Sequence, residues 1–331
     1  MSPAGNPGEG EFGLIRRHFA SGYPRSRDTW LGIGDDAAVI IPPAGMTLVQ
    51  SLDTQVADVH FPASAPAWLI AQRALRCAAS DLAAMGASPQ GFYLGLTLPH
   101  NQPEWMSGFA SGLRAAAHEC GLALLGGDTT RGPVCVISVM VQGWLPLDSS
   151  TNEPGVQGLF RHTANAGDDI WVSGCIGMGA LALPIVLNDP ACSEGLAGHY
   201  YFPQPRLALG VGLRGIASAA MDISDGLLQD AGHIARASAL DLTIHTEQVP
   251  TASTDLGSSA WQTCLTGGDD YELLFCAPDS QREAIAAIAR DCMVTCTRIG
   301  VCSKPAAAEP RVLAQLNGQP LDLSEQGYQH F

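Results

Sequence analysis

Six short corners, each setting aspartate beside glycine or serine, punctuate this chain and constrain its fold. They are Gly34-Asp35-Asp36, Ser80-Asp81-Leu82, Gly126-Gly127-Asp128, Gly167-Asp168-Asp169, Ser224-Asp225-Gly226 and Gly267-Gly268-Asp269-Asp270. Between them, strand-like runs and helix-like stretches mix in both halves, which predicts an α/β (α+β) architecture. At 331 residues the chain exceeds the ~100–200 of a single domain. Two domains are expected, 1–150 and 151–331, joined by a Pro/Gly/Ser/Thr/Asn-rich linker over 146–158.

The first ten residues, rich in Gly and Pro, are expected to fray. Helical spacing of apolar residues predicts helices over 11–20, 68–85 and 104–120 in the first half. Strands are expected at 37–41, 47–52, 91–98, 122–125 and 134–141. In the second half, helices are expected over 178–188, 205–218, 226–238 and 280–291, and strands over 169–173, 219–223, 241–245, 272–276 and 297–302. Gly174-Cys-Ile-Gly-Met-Gly179 has three glycines in the wrong order for a dinucleotide fingerprint, and no acidic residue follows on a second strand.

A net charge of −15 argues against nucleic acid, whose phosphates need a basic face. Lys304 is the only lysine. That excludes a glycine-rich phosphate loop ending in Gly-Lys-Ser/Thr, and with it a kinase-type strand lysine or a Schiff-base lysine in a core strand. If this chain handles phosphate, metal ions and a few arginines must neutralise it. The ten cysteines include no Cys-x-x-Cys, so they read as small buried hydrophobes. No signal peptide opens the chain and no apolar run is long enough to span a bilayer. A reduced, soluble, cytoplasmic protein that binds no membrane is expected.

Any one Asp-Gly corner is explained by turn preference alone, and Asp168-Asp169 reads as a turn entering a strand. The others share a pattern. Asp36 precedes a strand, Asp53 ends one, Asp128 follows one after two glycines, and Asp222 and Asp225 flank Ser224 at a strand-to-helix junction. Carboxylates at strand ends can converge on one sheet edge, where ligands bind. Many oxygen donors with few basic neighbours suit Mg²⁺ bridging a polyphosphate. Asp81 weighs most, because a carboxylate in an Ala-rich helix is costly to bury without a cation or donor.

Taken in order, Glu11-Phe-Gly-Leu-Ile15, Gly32-Ile-Gly-Asp-Asp36, Ser80-Asp-Leu-Ala-Ala-Met-Gly86, Gly126-Gly-Asp-Thr-Thr-Arg-Gly132, Asp222-Ile-Ser-Asp-Gly226 and Gly267-Gly-Asp-Asp-Tyr-Glu272 resemble the thiamine-monophosphate kinase family. The likeness runs to the closing Gly327-Tyr-Gln-His-Phe331. It implies an aminoimidazole-ribonucleotide-synthetase-like fold whose N-terminal sheet pairs with that of a second subunit in a homodimer. It implies ATP-dependent phosphorylation of thiamine monophosphate to thiamine diphosphate in a site between the domains. By resemblance, Asp36, Asp53, Asp81, Asp128 and Asp222 hold several Mg²⁺ ions around the phosphates, and Asp225 holds a further ion. Gly127, Asp128 and Ser224 contact ATP, and Arg161 reaches its phosphates. His60 faces thiamine monophosphate, and Asp269 and Tyr328 hold the thiamine end.

The chain departs from the family pattern in three places. Leu52 stands where the family carries a hydroxyl, leaving Ser51 as the side-chain metal candidate. Asp269 stands where the family usually has Glu, one methylene longer. Ala78-Ala79 stands where an Asn is common. From the residues alone, His60 also reads as a loop histidine after a strand, and Tyr328 as a cap on the core. The acceptor would be a phosphate oxygen already ionised at neutral pH, so no strong base is required. The rivals are another ATP-dependent synthetase of the same superfamily and a non-catalytic nucleotide- or metal-binding relative.

Overall fold

The computed structural model describes residues 11–148 and 155–323. Tyr328 and the C-terminal Gly327–Phe331 motif lie outside the described residues, as does the expected boundary at 150/151. In the first half, α1 (Glu11–His18) and the short pair β1 (Thr29–Leu31) and β2 (Val39–Ile40) precede β3 (Met46–Val56), α2 (Ala67–Ala84) and β4 (Ser88–Leu98). Then come α3 (Pro103–Cys120), β5 (Ala123–Arg131), β6 (Val136–Asp148) and β7 (Gly155–Val156). The sheet order is β3-β6-β4-β5, with β7 on β6. Among the described strands of this sheet only β4 and β5 run parallel, because α3 carries the chain back between them. β7 extends this first sheet two residues past the undescribed segment.

The second half contains β8 (Asp169–Ser173), α4 (Met178–Asn188), α5 (Ala197–Tyr201), α6 (Leu207–Leu213), β9 (Ala219–Ile223), α7 (Leu227–Ser238) and β10 (Asp241–His245). It continues with α8 (Ser259–Thr266), β11 (Glu272–Ala277), α9 (Arg282–Asp291), β12 (Cys296–Ser303), β13 (Val312–Leu316) and β14 (Gln319–Pro320). Its seven-stranded sheet has the order β14-β13-β10-β12-β8-β11-β9. β8, β9 and β11 are buried at every position. This is what strands covered on both faces require.

Several elements differ from the expectation. β3 and β5 are longer than predicted, so Asp53 and Asp128 sit inside strands rather than at their ends. α6 covers only the middle of the predicted 205–218 helix. β1, β7, α5, α8, β13 and β14 were not foreseen, and the end of β6 together with β7 occupies part of the expected 146–158 linker. All ten cysteines are free, five of them buried and five partly so. Among the described residues no helix is long and apolar enough to cross a membrane.

α2 holds the two halves together. Alanine keeps it slim, and 16 of its 18 residues are buried, so it has no solvent stripe. Its Leu69, Ile70 and Leu75 join the core of the first half, while Ala83 and Ala84 join a core containing Trp171, Leu213 and Phe275 of the second. α6 lies directly on it: a Cβ at Gly210 would stand 2.1 Å from the Ala83 carbonyl oxygen. Only glycine permits that approach.

Candidate active site

A cavity of about 520 Å³ opens where α2 meets the second sheet, within the size range of small-molecule sites. Asp53 and His60 reach it from β3 and the loop beyond, and Asp81 from α2. Asp222, Ser224 and Asp225 come from the corner between β9 and α7, and Gly267, Gly268 and Asp269 from the loop before β11. Seven of the expected residues therefore share one chamber, although their sequence positions span more than two hundred residues.

The acids here are unevenly compensated. The Ser51 hydroxyl donates to Asp81, and the Arg161 charge favours its ionised form, yet burial dominates and raises its pKa. Burial, and then the negative field of Asp81, pushes Asp53 up to about 6. Asp222 is raised to about 7, again by burial first and Asp81 second. A buried carboxylate near a like charge resists ionising. The protein supplies donors for part of this charge and leaves the rest without a counter-charge.

The two loops at the cavity wall are tied together. Asp269 N–H donates to the Ser224 carbonyl and Tyr271 N–H to the Ile223 carbonyl, both at 2.8 Å. Gly268 makes this seam possible, since a Cβ there would lie 2.1 Å from the Ser224 oxygen. Asp230, one turn into α7, accepts the N–H groups of Ser224, Asp225 and Gly226 at 3.0, 3.1 and 3.2 Å. Asp270 accepts from Gly177 at 2.7 Å and Gly179 at 3.1 Å, fixing the start of α4 against the same loop. His60 is oriented by the Val56 N–H, which donates to its Nδ1 at 3.0 Å, so a neutral ring carries its proton on Nε2.

Asp36, Gly127 and Asp128 are brought together elsewhere. All three are exposed and line a second cavity of about 950 Å³ between the 32–38 loop and β5. Arg161 is exposed and acts on Asp81 through its charge. Among the described residues, no three acids, histidines or cysteines stand close enough to grip one ion unaided. The donors still suit Mg²⁺, which keeps water and phosphate oxygens and needs only one or two carboxylates from a protein.

Sequence reasoning missed Arg73, Asp230 and Asp270. Both acids bind backbone N–H groups; Asp230 left only a weak signal, an acid in the first turn of a helix, and Asp270 none, because the helix start it holds lies 91 and 93 residues away. Arg73 was hidden as one polar position on an Ala-rich helix, yet it is 4% exposed and lines the cavity.

Residues 34–145 match the family described as AIR synthase related protein, N-terminal domain, and residues 165–317 match its C-terminal domain. The thiamine-monophosphate kinase of Salmonella typhimurium is 37% identical across 97% of this chain and 98% of its own. The crystal structure of thiamine-monophosphate kinase from Stenotrophomonas maltophilia superposes with a TM-score of 0.77 at 38% identity, covering 89% of this chain and 93% of that one. AaThiL complexed with AMPPCP and TMP shares the fold, at 24% identity and a TM-score of 0.74 over 97% of both chains.

Proposed function

The chain belongs to the thiamine-monophosphate kinase family, and from that premise we propose that it phosphorylates thiamine monophosphate to thiamine diphosphate with ATP by direct in-line transfer between its domains. The observation that carries this reading is one cavity that joins Asp53, Asp81 and Asp222 to the acceptor-side candidates His60 and Asp269.

Phosphoryl transfer asks a protein for position and charge balance more than for covalent chemistry. Asp53, Asp81 and Asp222 are the residues that would hold Mg²⁺ nearest the transferred group, with Ser51 orienting Asp81 and Asp225 available for a further ion. When bound, Mg²⁺ neutralises charge on the phosphates and stabilises the in-line transition state. Ser224 meets the nucleotide at the α7 corner and Arg161 its phosphates. Asp36, Gly127 and Asp128, gathered in the second cavity, complete the set from the nucleotide side. His60, anchored through Nδ1, positions the acceptor phosphate with Nε2–H. Tyr328 is assigned to the thiamine end on the strength of the resemblance alone.

A homodimer belongs to the same proposal. Leu48 and Leu52 lie on one face of β3 and are 44% and 63% exposed, so the first sheet has an apolar face suited to a second copy. A cytoplasmic location accords with ten free thiols.

The test is product formation from ATP and thiamine monophosphate. Thiamine diphosphate appearing with ADP in equal amount supports the kinase. ATP turnover only with a different acceptor would favour a synthetase of the same superfamily, and no turnover would favour a binding protein.

A further inference from the structure

We propose that Arg73 is a positioning residue for the acceptor: it reaches across from α2 to fix Asp269 so that one carboxylate oxygen is offered to the substrate. The inference rests on the kinase reading above. A guanidinium 4% exposed needs firm partners, and those of Arg73 all come from the second half of the chain. Nη2 donates to Asp269 Oδ1 at 2.6 Å, Nη1 donates to the Tyr200 carbonyl at 2.9 Å, and the guanidinium lies 3.9 Å from the centre of the Tyr200 ring. Its Nε has no partner among the described residues, so the arrangement does not satisfy every donor.

Asp269 is held on one side only. Tyr271 Oη also donates to Oδ1, at 3.2 Å, so both protein donors fall on one oxygen and Oδ2 has none among the described residues. The carboxylate is 24% exposed and lines the cavity. The backbone that presents it is strained: Asp269 has φ +69° and Tyr271 φ +53°, left-handed values at two non-glycine residues. Such strain persists where surrounding contacts over-determine it, and here the contacts are Arg73 and the hydrogen bonds to Ile223 and Ser224. An oxygen free of protein donors, at a fixed position in a cavity, is matched to an N–H donor or a cationic ring on the acceptor.

Steady-state kinetics with each substrate varied in turn test this. Arg73→Met should raise the KM for thiamine monophosphate by about 10-fold or more, because it leaves a partly buried carboxylate without its charged donor. The KM for ATP should stay within about 2-fold, since the Arg73 side chain bonds to Tyr200 and Asp269 and to none of the residues assigned to ATP. Arg73→Lys shortens the cation and removes the fork, so it should raise the acceptor KM as well. Pairing it with Asp269→Glu, which lengthens the carboxylate by one methylene, should restore most of the loss. Equal rises in both KM values, or a double variant no better than Arg73→Lys, would overturn the positioning role. If Arg73→Met does not fold, the Lys and Lys/Glu variants decide alone. Wild-type protein inactive with both substrates would instead overturn the kinase reading, before any variant is compared.

Discussion

The Ser51 hydroxyl on β3 donates to the Asp81 carboxylate on α2, and Asp81 lines the cavity together with Asp53 and Asp222. The bond orients the one acid whose charge raises the pKa of both its neighbours. Asp81→Asn should therefore lower turnover by at least ~100-fold, since a charge clamp on a transferring phosphoryl group is worth several kcal/mol. The folded state should survive, because the substitution removes a like charge from a crowded buried site. Turnover close to wild type in a folded Asp81→Asn protein would make the residue structural only.

Activity should vanish in excess chelator and return with Mg²⁺. The cavity presents carboxylates and no lysine, and one exposed arginine at the phosphates is too little to balance the triphosphate of ATP and the acceptor's phosphate together. Undiminished turnover in chelator would refute the metal-assisted route.

Metal-free stability should depend on pH in a direction set by Asp222. Its pKa is about 7 in the folded chain against 3.8 ordinarily, and Asp53 is raised to about 6. Between those limits the folded state binds more protons than the unfolded one, so stability falls as pH rises. The contribution is complete below about pH 4 and is lost as pH passes through 6 and 7. Asp222→Asn cannot ionise and escapes its share of the loss. In chelator, the Tm advantage of Asp222→Asn over wild type should grow from pH 5 to pH 8, and millimolar Mg²⁺ should shrink it by binding the ionised wild-type site. A constant difference across that range would show that the site's protonation does not couple to folding.

Light scattering at micromolar concentration should give twice the chain mass. Leu48→Glu places a charge on the apolar face of β3, and should shift the protein toward monomer while leaving its helical circular dichroism intact. A wild-type monomer would contradict the dimer.

Much of this site could be read from the sequence because its acids are chemically conspicuous. Asp81 in an Ala-rich helix and Asp222/Asp225 around Ser224 needed no structure to attract attention. Gly126-Gly127 misled: the pair reads as the end of a strand, whereas β5 runs through it because both residues pair in register with Tyr93 and Leu94 of β4. α8 had a legible start in Ser258, whose hydroxyl accepts from Trp261 N–H at 3.2 Å, but its eight residues are too few for periodicity to declare. Asp36 and Asp128 were grouped with the other acids by chemistry, and only the three-dimensional path of the chain separates them into a second cavity. Arg73 was unreadable in principle. Its meaning depends on Asp269, 196 residues away, and no local pattern encodes that distance.

The lodging of α2 in both cores bears on how substrates come and go. Swinging the halves apart as rigid bodies would drag Ala83 off Gly210 and break the Arg73–Asp269 pair, exposing tightly packed surface at each step. A hinge of that kind is costly for this architecture. Packing of this kind favours a frame that stays fixed, with traffic through the cleft left to side chains and short loops. Those parts move in nanoseconds to microseconds rather than on the slower clock of domain rotation. If product release limits turnover, its rate should follow how firmly Asp269 and its neighbours grip the departing molecule.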